Sequence, residues 1–170
     1  MKTVLVLAFV GLVLSFTNGP MGNSHGGEKQ VKEQKVKKLF DSMRSGKYRE
    51  IEFPRLDLTD VPALLEYADS TKTLKSFSRN LLSSQFEPEC SEGMVALWLI
   101  EGVRQGSKYP SLNALCFKGK VEGTDWTKAS EDNHKEVAKA YRAWWAKAKD
   151  LTPEKAKAID PLKDTGLSWR

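Results

Sequence analysis

The stretch SEGMVALWLIEGVRQG, residues 91–106, constrains the fold more than any other part of the chain. Seven consecutive apolar residues run from Met94 to Ile100, Ser91 is placed to cap a helix, and Gly106 is placed to end it. Seven helical residues span only about 10 Å, whereas the hydrocarbon core of a bilayer is about 30 Å thick. The stretch therefore predicts a central core helix at about 91–105 that is apolar on all sides.

Four other residues of this helix carry expectations of their own. Gly93 and Gly102 lower the helix propensity, so we expect a neighbouring group to pack closely against each of them. Glu101 is either a surface carboxylate near Arg104 or a partly buried polar anchor. The apolar run contains no histidine, cysteine or pair of acids, so no catalytic group is expected on this helix.

Helical spacing recurs along the chain, and no segment shows the alternation of a long strand. In a long C-terminal helix, the apolar residues from Val137 to Ala148 fall at i, i+4, i+7 and i+11, and the tail beyond residue 160 is expected to fold back on the body. The predicted fold is all-α, a compact multi-helix domain. The long helix is predicted to be capped by Asp132. The other predicted helices are residues 28–45, a helix capped by Asp60 with Pro62 in its first turn, one capped by Ser111, and a short one from Pro153 to about 159.

The N-terminus has the layout of a secretory signal peptide over residues 1–17. Lys2 precedes an apolar run from Val4 to Val13, and small and polar residues follow, with cleavage expected close to Thr17. An uncleaved N-terminal anchor is the alternative. Residues 18–27 are rich in Gly, Asn and Ser, which predicts a flexible leader. We therefore expect an exported protein, periplasmic or extracellular, whose mature part has no transmembrane span and forms a single domain over residues 28–170.

Charge and cysteine content narrow the partners and cofactors. The net charge of +5 is spread along the chain, with basic residues interleaved with acids, so nucleic acid is not an expected partner. In an exported chain, Cys90 and Cys116 suggest a disulfide, and two buried free thiols are the alternative. With only His25 and His134 available as histidines, no zinc site or other metal site is expected, and no cofactor is indicated.

Familiar catalytic signatures are missing from the sequence. It has no glycine-rich phosphate loop, no nucleophile elbow and no H-E-x-x-H motif. His134 lies in a lysine-rich helix, where exposure is expected. Acid pairs such as Glu89 with Glu92, or Glu101 with a second acid, could serve a hydrolase only in a suitable geometry. The sequence alone therefore gives no catalytic residues.

Tryptophan is the more informative residue type, with five in the chain. Trp144 and Trp145 point about 100° apart on a helix, so one of them could be partly exposed and form a binding platform. Trp126 lies in a turn-rich connector. These three residues are the candidate binding residues, and burial of both Trp144 and Trp145 in the core is the alternative.

Several fragments together resemble a known family. DVPALLEYAD, SEGMVALWLIEGVR, YPSLNALC, AYRAWW and PLKDTGLSW are similar to segments of small exported proteins from Bacteroides-type gut bacteria, a family described only as a domain of unknown function. The resemblance covers about residues 28–170 and implies an exported α-helical domain with no known activity. Many relatives look like lipoproteins, but this chain lacks a cysteine at the end of its signal peptide. Its short helices around an apolar one are also similar to HEAT or armadillo packing.

Two functions are therefore compatible with the sequence. The first is an exported, non-catalytic binding or scaffold module that recognises a protein or peptide partner on a helical surface, and an inhibitor of another enzyme would be a variant of it. The second is a small secreted hydrolase that uses carboxylates. The missing nucleophile and base motifs favour the first.

Overall fold

A computed structural model describes residues 24–48, 53–83, 89–120, 122 and 125–170. The predicted signal peptide, residues 1–17, and most of the leader, residues 18–27, lie outside the described residues. No helix in the described ranges is long and apolar enough to cross a membrane. In chain order the elements are α1 (Ser24–Arg44), a 3-10 helix (Leu58–Asp60), α2 (Val61–Leu65), β1 (Thr73–Leu74), β2 (Cys90–Ser91), α3 (Glu92–Arg104), β3 (Cys116–Lys118), α4 (Trp126–Ala148), α5 (Pro153–Ala158) and β4 (Leu167–Trp169).

The all-α prediction is wrong, because the helices are accompanied by two antiparallel two-stranded sheets. β1 pairs with β2, and β3 pairs with β4, so that the C-terminal tail contributes a strand. Each strand has only two or three residues, too few to show the alternation by which a strand is recognised in a sequence. HEAT-like packing is not shown: the described α-helices range from 5 to 23 residues, whereas helical repeats have helices of similar length.

The central helix α3 confirms the expectation drawn from its apolar run. Ser91 caps it by accepting a hydrogen bond from the Met94 backbone N–H, and every residue from Glu92 to Val103 is buried. α3 packs against α2 on one side and α4 on another. A helix enclosed on all sides has no face left for solvent, which explains why its sequence shows no polar stripe.

The two glycines of α3 lie where neighbours approach closely, as expected. A β-carbon at Gly93 would come within 2.4 Å of the His134 ring and 2.7 Å of the Ala68 carbonyl oxygen. A β-carbon at Gly102 would come within 2.4 Å of the Phe53 ring. Both positions therefore need glycine for space, which outweighs its low helix propensity.

The long helix α4 begins at Trp126, earlier than predicted. Asp125, not Asp132, is its cap and accepts a hydrogen bond from the Lys128 backbone N–H. The face from Val137 to Ala148 is buried as predicted. The sequence does not predict the first turns of α4, because their one buried residue, Ser130, is polar.

Three other helix predictions need correction. α1 begins at Ser24, four residues before the predicted start, inside the predicted leader. Asp60 occupies the N-cap position of α2, with Pro62 in the first turn as predicted, but its side chain makes no capping bond to α2. That side chain instead accepts a hydrogen bond from the Asp57 backbone N–H, and Asp57 caps the 3-10 helix that precedes α2. Ser111 starts no helix; its hydroxyl instead accepts a hydrogen bond from Trp98 Nε1 at 2.8 Å and so fixes the loop over the core.

The predicted disulfide is not formed, and both cysteines are free, buried thiols. Cys90 lies in β2, where its thiol donates to the Ala114 carbonyl oxygen, while Cys116 lies in the other sheet, paired with Trp169. Burial raises the pKa of each thiol to about 12. At neutral pH both are therefore protonated and poor nucleophiles.

Candidate functional site

A groove of about 800 Å³ runs beside α1, between this helix and the extended segment at residues 53–56. We call it the α1 groove. Its side along the helix follows α1 from Val31 to Ser42. Its described lining consists of Val31, Gln34, Lys35, Lys38, Leu39, Ser42, Tyr48, Phe53, Pro54, Arg55 and Leu56.

The apolar part of the α1 groove is held by the protein core. Phe53 is half-buried, and its ring centroid lies 6.2 Å from that of Trp98 and 5.9 Å from that of Tyr109. Leu39 is also half-buried, and Leu56 is buried. Because Phe53 also packs closely over Gly102 of α3, this wall is fixed before any ligand arrives.

The polar part of the α1 groove is basic. Lys35, Lys38 and Arg55 belong to its described lining, and no acidic residue does. Lys35 Nζ donates a hydrogen bond of 2.7 Å to Asp60 Oδ2. Within the described ranges, neither Lys38 nor Arg55 forms an ion pair, and both are exposed. The two cations are therefore open to an anionic group.

Asp60 is the counter-charge of Lys35. Its side chain is fully buried, and Oδ2 also accepts a hydrogen bond from the Asp57 backbone N–H at 2.9 Å. Asp60 Oδ1 has no hydrogen-bond partner among the described residues. The ion pair with Lys35 offsets part of the cost of burying this carboxylate.

The three candidate tryptophans lie elsewhere, and the structure does not bring them together. Trp144 is buried and donates from Nε1 to the Ala156 carbonyl oxygen, which leaves no surface for a ligand. Trp145 is half-buried beside it, with ring centroids 5.7 Å apart. Trp126 is half-buried against Phe117, and 19 positions of α4 separate it from Trp145, about 28 Å. They form no common platform.

Glu101 is a buried polar anchor and not a surface carboxylate, although it does pair with Arg104. Its carboxylate accepts hydrogen bonds from Arg104 Nε at 2.7 Å, Arg104 Nη2 at 2.6 Å, Gln105 at 2.7 Å and the Tyr141 hydroxyl at 2.7 Å. Burial, followed by the Glu101 charge, raises the pKa of Tyr141 well above its ordinary value, so the hydroxyl remains a donor. Trp169 Nε1 in turn donates to the Tyr141 oxygen at 2.9 Å, which fastens the tail.

The other acids and the histidine also have structural partners. Glu92 is buried and accepts hydrogen bonds from Arg44 Nε and the Ser70 hydroxyl, whereas Glu89 is exposed. The prediction that His134 is exposed is wrong: the residue is buried, and its Nε2 lies 2.7 Å from the Ala68 carbonyl oxygen. In the part of the chain that the structure covers, no three His, Cys, Asp or Glu side chains are grouped as metal ligands.

Sequence reasoning missed the α1 groove residues. Lys35 and Lys38 belong to a helix in which basic and acidic residues alternate, a pattern typical of a solvated surface. The only feature of the sequence that points to the groove is the short segment Phe53–Pro54–Arg55, in which an aromatic and a basic residue flank a proline. Pro54 favours an extended chain at this point. The sequence does not tell which helix this segment faces, because that depends on how the chain folds.

Comparison with known proteins gives one match. Residues 30–170 match the family described as "Domain of unknown function (DUF4943)". No curated protein and no solved structure matches the chain significantly. The family match covers the elements that form the groove, α3 and the C-terminal tail, apart from the first turns of α1. The chain therefore belongs to the DUF4943 family.

Proposed function

We propose that this protein is a non-catalytic binding module whose α1 groove receives a segment of a partner protein or peptide. The observation that carries the proposal is the combination of a preformed apolar wall with three basic side chains and no described acid in the lining. Its occupant is a segment that places a carboxylate beside large apolar side chains. Such a segment matches the groove in both charge and polarity.

The length of the groove favours an extended peptide as the occupant. From Val31 to Ser42 the helix rises about 16 Å, which is the length of about five residues in an extended chain. Apolar side chains of the peptide would pack on Phe53 and Leu39. Its carboxylates would then face Lys38 and Arg55, where charge-assisted hydrogen bonds are stronger than neutral ones.

The test compares two fluorescein-labelled peptides of ten residues, one alternating Glu and Leu and the other Lys and Leu, by fluorescence anisotropy at physiological salt. We expect only the acidic peptide to bind. Replacing Lys38→Glu together with Arg55→Glu should weaken its binding at least tenfold, because two attractive contacts become repulsive. Both residues are exposed, so folding should be unaffected.

The matched control carries Lys135→Glu and Lys139→Glu on the exposed face of α4, an identical change in net charge. This control should bind the acidic peptide as the wild type does. Equal weakening in both variants would mean that binding follows net charge and not the groove. Equal binding of the two peptides to the wild type would also refute the proposal.

A carboxylate hydrolase, the alternative, is not favoured by the described acids. Glu101 and Glu92 are surrounded by donors from Arg104, Tyr141, Arg44 and Ser70, so neither has a free oxygen facing a second acid across a cleft. A glycosidase-type site needs two carboxyl groups on either side of the substrate.

We also propose that the protein is exported, because Lys2 and the following apolar run have the order of a signal peptide. N-terminal sequencing of the protein from an export-competent bacterial host should find a new N-terminus close to Thr17 in the fraction outside the cytoplasm. Recovery of the intact N-terminus, Met1, from the cytoplasm alone would contradict this proposal.

A further inference from the structure

Three exposed leucines form an apolar tip on the surface. Leu81 is 72% exposed, Leu82 is 82% exposed and Leu112 is 46% exposed. They supply half of the six large apolar side chains that are exposed in the described ranges. We call these three residues the leucine tip. Exposed large apolar side chains that lie close together mark an interaction site, whereas single ones do not.

The leucine tip is held in place by hydrogen bonds. The Leu82 backbone N–H donates to the Asn80 side chain, and the Ser83 N–H donates to the Asn80 carbonyl oxygen, which closes a turn with the leucines at its apex. The Ser83 hydroxyl donates to the Asn113 side chain and so ties this turn to the loop that carries Leu112. The exposure of the leucines is therefore built into the fold.

Two opposite charges lie beside Leu112 of the leucine tip. Arg79 and Glu89 line the same small cavity as Leu112, yet they do not form an ion pair with each other in the described structure. Arg79 instead stacks on the Phe77 ring, with its guanidinium carbon 4.6 Å from the ring centroid, and Glu89 is exposed. Arg79 is half-buried, and neither residue forms an ion pair in the described ranges, so both charges can still pair with another molecule.

We infer that the leucine tip is the contact surface for a second copy of this chain. A two-fold symmetric interface brings the same patch together from both copies, so it must be self-complementary. Leucines then meet leucines, and Arg79 of each copy meets Glu89 of the other copy. An anionic lipid surface fits less well, because Glu89 would be repelled. This inference does not depend on the α1 groove.

The size of the patch sets the strength of the contact. Protein interfaces that bury less than roughly 1,200 Å² are weak and transient. Three leucines and a charge pair from each copy bury less than that area. We therefore expect a reversible dimer that is populated at about 10 µM to 1 mM and not at nanomolar concentration.

Sedimentation velocity over that concentration range tests the inference. The wild-type protein should shift from the mass of a monomer towards twice that mass. Replacing Leu81→Ser and Leu82→Ser should weaken dimerisation by about tenfold or more, since each leucine loses its apolar burial. The matched control, Leu151→Ser with Ile159→Ser, changes two exposed apolar residues away from the tip and should dimerise like the wild type.

Reversing the charges of Arg79 and Glu89 distinguishes a dimer formed through this interface from a dimer formed through any other surface. Arg79→Glu alone and Glu89→Arg alone should each be monomeric, because like charges then face each other across the two-fold axis. An equimolar mixture of these two variants should form a heterodimer, since one copy presents two acids and the other two bases. The variant that carries both changes should dimerise again.

A wild-type protein that stays monomeric throughout the range would overturn the inference, as would a dimer that survives the loss of Leu81 and Leu82. Vesicles of phosphatidylglycerol and phosphatidylcholine provide the competing outcome. Binding to these vesicles through the leucines, without dimerisation in solution, would make the tip a lipid-binding surface. Far-ultraviolet circular dichroism confirms that each variant is folded.

Discussion

Replacing Trp98 with alanine is expected to lower the free energy of unfolding by about 3 to 5 kcal/mol, as large truncations in a protein core do. Trp98 is fully buried at the centre of α3. Its ring lies against Tyr109, with centroids 5.6 Å apart, and Nε1 donates to the Ser111 hydroxyl. The substitution therefore leaves a cavity and also frees the loop that Ser111 holds. Equilibrium unfolding in urea measures the change.

Two comparison variants separate these contributions. Trp98→Phe keeps most of the volume and loses the hydrogen bond to Ser111, so we expect a smaller loss of about 1 to 2 kcal/mol. Trp145→Ala removes a half-buried tryptophan from α4 and should also cost less than Trp98→Ala. A loss below about 1 kcal/mol for Trp98→Ala would contradict the central position of this residue.

Replacing Glu101 with alanine is expected to cost about 3 to 5 kcal/mol, because it leaves a buried cation without its counter-charge. The Arg104 side chain is only 14% exposed; its Nε and Nη2 both donate to the Glu101 carboxylate, and its Nη1 donates to the Lys157 carbonyl oxygen. Tyr141 and Gln105 lose their acceptor in the same change. Thermal and urea unfolding at neutral pH would detect the loss.

A double variant provides the matched control for this ion pair. Glu101→Leu with Arg104→Leu removes both charges at once, and replacing a whole buried pair by apolar residues is often close to neutral. We expect the double variant to be more stable than either single variant. If Glu101→Ala alone were as stable as the wild type, the carboxylate would have to be solvated and not buried.

What the sequence reveals about this fold is local. The caps and apolar run of α3 act within one helix, so Ser91 and the buried residues after it follow directly from the letters. The strands do not, because β3 and β4 are defined only by their pairing across about fifty residues. The first turns of α4 are not predicted because their buried residue, Ser130, is polar and finds its partner, the Cys116 backbone N–H, only in the folded interior. The burial of His134 is likewise not predicted, because its partner, the Ala68 carbonyl oxygen, is distant in the sequence.

The candidate site shows the same limit more strongly. Tryptophan content pointed to Trp144, but a large aromatic on the only continuous apolar face of α4 is needed for the core. The α1 groove exists because Phe53 is carried onto α3 and faces α1 across a gap. The residue spacing within each segment does not predict that the Phe53 segment and α1 face each other.

The bond from Trp169 to Tyr141, and from there to Glu101, has a consequence for the timing of folding in the cell. A ribosome adds about 5 to 20 residues per second, so residue 169 is made roughly 3 to 14 seconds after residue 101. Until then Tyr141, which donates to Glu101, lacks the hydrogen bond that it accepts from Trp169, and β3 lacks its partner strand β4. The network around Glu101 and the second sheet are therefore completed only after residue 169 has been made.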